Sequence, residues 1–249
     1  MFSVEQRDAL QTWLLHCAQA DESIVGAAFT GSYATADADR WSDTDLVLAV
    51  RGDLADAVSR WTRRLCDEWD VQHHWDLVAA PSLIRVFLLP QWLEIDLTFA
   101  PEQYFGSRGP QWDLIFGEDQ QLDDFPAPDP IALVGHVWHH ALHAWVCLQR
   151  RRYWQAEHWI SALRDGTITL ACLRLGHPSM YAKGAHLLPD ELTSTLDATL
   201  VRAVTEPELY RALNAAITVV VAELTRCDPE SAARLGPMLE HLARQTPKP

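Results

Sequence analysis

The spacing of apolar residues changes character several times along the first hundred positions. Val4, Leu10, Leu14 and Leu15 recur at helical intervals and predict a helix over 4–20. Ile24 to Thr30 is a short apolar run rich in small and β-branched residues, which predicts a buried strand ending at Gly31-Ser32. Leu46 to Val50 predicts a second strand, entered directly from Asp43-Thr44-Asp45. Asp53 is placed to cap a helix running to about Cys66. Val71–Val78, Leu83–Leu89 and Trp92–Phe99 predict three more strands, with Pro90-Gln91 as a tight turn between the last two. The segment 123–130 then places Pro126, Pro128 and Pro130 within five residues and reads as a linker. Beyond it the period is helical, with helices expected over 131–149, 153–175, 189–203, 207–226 and 229–244. The fold class is therefore α+β: a domain over 1–125 with a mixed sheet and helices on one face, then a helical bundle over 126–249.

Composition narrows the function classes. The apolar runs are short and broken by polar residues, which excludes a membrane span. No basic segment followed by an apolar stretch opens the chain, so no secretory signal is expected. The five cysteines are scattered without a CxxC pair and predict reduced thiols in a cytoplasmic protein. Charge is uneven. Residues 1–125 carry 22 acidic and 8 basic side chains, and 126–249 carry 12 of each, so the whole net charge of −14 lies in the first half. Such a surface repels a nucleic-acid backbone and attracts divalent metal or a polycation. An acidic surface also serves solubility.

The chemistry concentrates where strands begin and end. A strand ending in Gly31-Ser32 can bring its backbone and a hydroxyl close to phosphate oxygens, because glycine has no side chain in the way. Asp43 and Asp45 are two residues apart at a strand start, so both point to one face, where a magnesium ion is the natural occupant. Asp96 lies among the apolar residues Ile95 and Leu97, a place where a carboxylate has no evident structural use. Three carboxylates of this kind could hold two metal ions around an in-line phosphoryl displacement. Glu94, two residues away on the same strand face, could share the role of Asp96.

The string Gly31-Ser32, ten residues, Asp43-Thr44-Asp45-Leu46-Val47-Leu48 resembles the signature of the nucleotidyltransferase superfamily that shares the DNA polymerase β fold. Chain size, the helical second half and Tyr153-Trp154-Gln155-Ala156-Glu157 resemble the aminoglycoside nucleotidyltransferases within it. The likeness is clearest over 24–100 and weaker over 131–190. It implies that Asp43 and Asp45 bind both magnesium ions, that Asp96 is the third ligand, and that Gly31 and Ser32 hold the triphosphate of ATP. Lys183 resembles a lysine that some relatives aim at the triphosphate. The implied partner is a small, cationic acceptor with a reactive hydroxyl, and neither nucleic acid nor membrane. Asp96 is the expected base, and Glu157 either holds an amine of the acceptor or takes the base's place. A lincosamide-like, metabolite or protein acceptor, or a non-catalytic antitoxin-type binding protein, are the alternatives.

Two further features carry several readings. His136, His139, His140 and His143 share one helix face, at spacings that suit a zinc site, a cleft lining or packing alike. Trp41, just before Asp43, could stack on a base or sugar or pack in the core. Arg151-Arg152 with His158 only superficially matches a ribonuclease-like spacing, and Arg164-Asp165 reads as a helix-surface pair.

Overall fold

A computed structural model describes residues 1–35, 38–123, 126 and 128–245. Asp124, Phe125 and Ala127 of the expected linker lie outside the described residues. The chain divides into two compact units, Met1–Pro126 and Ala127–Pro249.

The first unit is built on a mixed six-stranded sheet. Helix α1 spans Val4–Ala20, and Ser3 opens it with a capping box in which Ser3 and Gln6 exchange hydrogen bonds. Strands β1 (Ile24–Thr30) and β2 (Thr44–Val50) follow, then α2 (Leu54–Trp69), capped by the Asp53 carboxylate. Strands β3 (His73–Ala79), β4 (Ser82–Leu89) and β5 (Leu93–Pro101) come next. Two short strands, β6 (Gly106–Ser107) and β8 (Gln120–Gln121), pair only with each other, while β7 (Trp112–Phe116) joins the main sheet. Strand order is β3-β4-β5-β2-β1-β7, and β2–β5 is the parallel contact among otherwise antiparallel neighbours.

Helices α1 and α2 cover one face of this sheet. Leu10, Leu14 and Ala18 of α1 and Ala57, Val58, Trp61 and Leu65 of α2 pack on Leu46, Leu48, Ile95, Leu97 and Phe99. Those strand positions alternate with Asp45, Val47, Asp96 and Thr98, which therefore point to the opposite face. A bulge between Ile24 and Gly26 shifts the parity of β1, so that Ile24, Ala27 and Phe29 all reach the helix-covered core. Part of the opposite face is closed by Phe105 and Trp112, which pack with Ala28 and Ala49.

The second unit is helical: α3 (Pro130–Gln149), α4 (Tyr153–Leu175), α5 (Asp190–Asp197), α6 (Glu206–Cys227) and α7 (Pro229–Arg244). The helix expected over 189–203 ends at Asp197 because Arg211 of α6 donates to the carbonyls of Ala198 and Leu200 and holds the following segment irregular. Glu223, fully buried on α6, accepts from Arg174 of α4 at 2.5 and 3.2 Å and ties those two helices together. Among the described residues no helix is long and apolar enough to cross a membrane.

The four α3 histidines pack rather than diverge. His136 stacks on His140, His139 lies 4.1 Å from His143 between ring centroids, and Trp159 of α4 touches the rings of His139, His140 and His143. Among the described residues no three histidine, cysteine or acidic side chains are grouped to hold a metal, and Trp159 packs against three of the four rings. Burial disfavours the charged imidazole and pushes His139 and His140 below the ordinary histidine value, and neighbouring imidazoles push in the same direction. The unfolded chain therefore takes up protons that the fold resists. The resulting stability is complete above the ordinary histidine pKa of about 6.5 and is lost as pH falls below it. Melting temperature should fall between about pH 7.5 and 5.5, and His140→Gln should flatten that fall. Identical slopes in both proteins would show that these rings do not resist protonation.

Candidate functional site

The parallel β2–β5 ladder pairs Thr44 with Ile95, Asp45 with Asp96 and Leu46 with Leu97. Asp45 and Asp96 thus sit side by side at the spacing of adjacent strands, about 4.8 Å, and on the same face. That face is the one α1 and α2 leave open. Both carboxylates are half-buried. Asp43 is half-buried as well and lies one residue before β2, while Glu94 is exposed on β5 opposite Leu88 of β4.

Gly31 ends β1 beside this pair. Its φ of +67° lies in the left-handed region, and a side chain there would run into the Asp45 carboxylate. Both the bend and the space require glycine. Ser32 follows in the turn over 31–35, half-buried, and its carbonyl accepts from the Thr35 hydroxyl. The structure therefore sets Gly31 against Asp45 and Asp45 beside Asp96, from three strands far apart in sequence, with Ser32 next to Gly31 in the turn.

The strand entry is also gripped from behind. The Gln11 amide donates to the Thr44 hydroxyl at 3.1 Å, and Arg7 Nη1 donates to the carbonyls of Asp39 and Ser42 at 2.6 and 3.1 Å. The Arg7 guanidinium also lies over the Tyr33 ring, 5.0 Å from its centroid. Sequence reading passed over these two residues. Their signal was available: Arg7 and Gln11 fall on the same helical stripe as Leu14 and Ala18, so α1 buries polar side chains where apolar ones are expected.

The remaining candidates lie elsewhere. Trp41 is exposed, and Arg40 covers its ring at 4.2 Å, so it is not a core residue. Glu157 stands near the start of α4, where its carboxylate accepts from the Ser161 hydroxyl at 2.7 Å. Lys183 is exposed in the segment after α4, next to Tyr181 and Ala182, which both adopt positive φ. Both belong to the second unit.

The donor set suits a hard divalent cation. Its groups are carboxylate oxygens on rigid strands, with a glycine leaving room beside one of them. Among the described residues no three such side chains are grouped as a ready metal cluster, and Asp43, one residue ahead of β2, lies outside the strand pairing that sets Asp45 beside Asp96. Magnesium commonly takes one or two carboxylates and leaves its other positions to water and substrate phosphates, and the Asp45–Asp96 pair fits that pattern.

No protein-family profile matches the chain, and no curated protein sequence is significantly similar to it. Among solved structures it is similar to an aminoglycoside 6-adenyltransferase from Bacillus subtilis, at 12% identity and a TM-score of 0.41, over 93% of this chain and 96% of that one. An overlap this loose assigns no role to any residue here.

Gly31 offers a direct check of the geometry. Gly176, which ends α4 at φ +73°, has open space around it, so Gly176→Ala bears the conformational cost alone, about 1–2 kcal/mol. Gly31→Ala should lose more folding free energy in urea titrations, because Asp45 must move aside as well. Equal losses would mean that the carboxylate is not held against the glycine.

Proposed function

We propose that this chain is a magnesium-dependent nucleotidyltransferase that moves a nucleotide, AMP from ATP, to a hydroxyl of a small polar or cationic acceptor, of which an aminoglycoside antibiotic is the type the sequence resemblance suggests. The observation that carries this reading is the register of β2 against β5, which sets Asp45 beside Asp96 on the open sheet face with the Gly31-Ser32 turn adjacent.

In this reading Asp43, Asp45 and Asp96 are the metal-binding carboxylates, and Gly31 and Ser32 receive the triphosphate. Magnesium held by these carboxylates would supply charge neutralisation on the phosphates. The acceptor oxygen forms a bond to the α-phosphorus, the bond to the bridging oxygen breaks, and pyrophosphate leaves. Asp96 takes the hydroxyl proton. Glu157 holds a cationic group of the acceptor, and Lys183 contacts the triphosphate. A large nucleic acid is disfavoured as acceptor by the acidic first half. Five free cysteines suit a reducing, cytoplasmic setting.

The test is pyrophosphate release with an NTP panel against a panel of cationic and neutral acceptors. ATP binding measured by calorimetry should require a divalent cation, and EDTA should abolish it. Asp96→Asn should lower kcat by a factor on the order of 10²–10⁴, the usual worth of a general base. Glu157→Gln should raise the acceptor KM and leave kcat in place, the pattern of lost uniform binding. Lys183→Ala should weaken ATP binding and spare the acceptor. Equal ATP affinity with and without EDTA would sink the metal-nucleotide reading. A collapse of kcat in Glu157→Gln would transfer the base from Asp96 to Glu157. Nucleotide binding without turnover on any acceptor would favour a non-catalytic binding protein.

A further inference from the structure

Arg7 is 5% exposed, yet its partners are not those of a structural ion pair. The acid beside it, Asp8, is 3.7 Å from Nε and largely solvated. Nε itself is buried with no hydrogen-bond partner among the described residues. The guanidinium spends its donors on two backbone carbonyls, those of Asp39 and Ser42, and lies on the Tyr33 ring. Burying a full charge against carbonyls alone recovers little of its lost hydration. An apolar residue on this stripe of α1 would serve the core better, as Leu14 and Ala18 do two and three turns further on.

What Arg7 does hold is the approach to the acidic strand. Its two carbonyl contacts bracket residues 39 to 42, and one turn along α1 Gln11 holds the buried Thr44 hydroxyl. Side chains alternate along an extended segment. Gln11 ties the Thr44 side chain to the helix-covered side, which directs Asp45 to the other, and Arg7 fixes the backbone of the turn that delivers Asp43 to β2. A slip of one residue would turn Asp45 into the apolar core.

We propose that Arg7 and Gln11 are positioning residues, which fix Ser42 and Thr44 from the covered face and thereby aim Asp43 and Asp45 at a metal-bound nucleotide on the open face. This rests on the reading of Asp43 and Asp45 as ligands of magnesium-ATP, and the test separates the two claims.

The full-length protein is compared with Arg7→Met, Arg7→Lys, Arg7→Ala and the double variant Gln11→Met/Thr44→Val. The first readout is amide hydrogen exchange over residues 38–45 without any ligand. The second is magnesium-ATP affinity by calorimetry. Arg7→Met should speed exchange in that segment and weaken affinity by about tenfold or more. Arg7→Lys, which can still donate to both carbonyls, should recover part of each loss. Millimolar guanidinium should do the same for Arg7→Ala, a rescue that a general packing defect would not show. The double variant removes a donor and an acceptor together, so its melting temperature should stay near that of the wild type while magnesium-ATP affinity falls. This variant keeps the test open should the Arg7 variants fail to fold. Unchanged exchange over 38–45 in Arg7→Met, or unchanged affinity in both Arg7→Met and the double variant when the wild type binds, overturns the positioning role. If the wild type itself binds no magnesium-ATP, the functional reading fails, while exchange and its rescue by guanidinium still decide whether Arg7 fixes the segment.

Discussion

The parallel pairing of β2 with β5 is the constraint from which the rest of the candidate site follows. Two strands joined by a helix and a hairpin need not meet, and a parallel contact has no short turn to set its register. Here the register is set by what each strand buries. Leu46 and Leu48 face the same helices as Ile95, Leu97 and Phe99. A shift of either strand by one residue would expose its apolar set and turn its aspartate into the core. The apolar face thus enforces the position of the polar one. Two carboxylates can be kept adjacent only because the leucines, isoleucine and phenylalanine between them make every other alignment worse.

Adjacency still leaves the direction of each side chain to be set, and this is done at the strand ends. Gly31 removes a side chain where the Asp45 carboxylate must lie. From the other side, α1 contributes polar groups to a stripe that otherwise builds the core. These two devices act on opposite faces of the same strand entry. The cost is local: a left-handed backbone at Gly31 and a buried guanidinium at Arg7. A fold under selection for stability alone has no use for either, whereas a site that must hold two acids in one orientation needs both.

Much of this was legible in the sequence. The 3.6-residue period of the long helices located α1, α3, α4, α6 and α7 to within a residue or so, since each is capped by a residue suited to it or interrupted by proline or glycine. Asp96 stood out in the sequence as a carboxylate between Ile95 and Leu97 with no evident structural use. What stayed hidden was non-local. Strand β7 is short and half-exposed, and only its pairing with β1 makes it part of the sheet. The helix after Pro189 stops early because an arginine fourteen residues past its end, Arg211, claims the carbonyls beyond it. No local pattern states that Asp45 falls opposite Asp96 rather than Glu94, and Arg7 looks like any solvated helix arginine until Leu14 and Ala18 are seen on the same stripe.

The charge asymmetry bears on which ligands such a site can admit. The first half carries the entire net charge of −14, and the open sheet face adds Asp45 and Asp96 at its centre. A bare triphosphate approaching this surface is repelled at every distance within the screening length of about 8–10 Å. A triphosphate carrying divalent metal arrives with most of its charge cancelled, and the remaining attraction is between the metal and the two carboxylates. A cationic acceptor is drawn by the same field without needing a metal. Under the proposed function, one acidic surface therefore favours both substrates in the forms that react, and selects against the nucleotide in the form that cannot. Added salt separates the two effects. It weakens long-range attraction of a cationic acceptor and lowers its association rate, but leaves direct carboxylate–metal contacts largely intact. Rising ionic strength should then raise the acceptor KM far more than it weakens magnesium-ATP binding, and an equal response in both would mean that the surface charge, rather than the carboxylate pair, is what recruits the nucleotide.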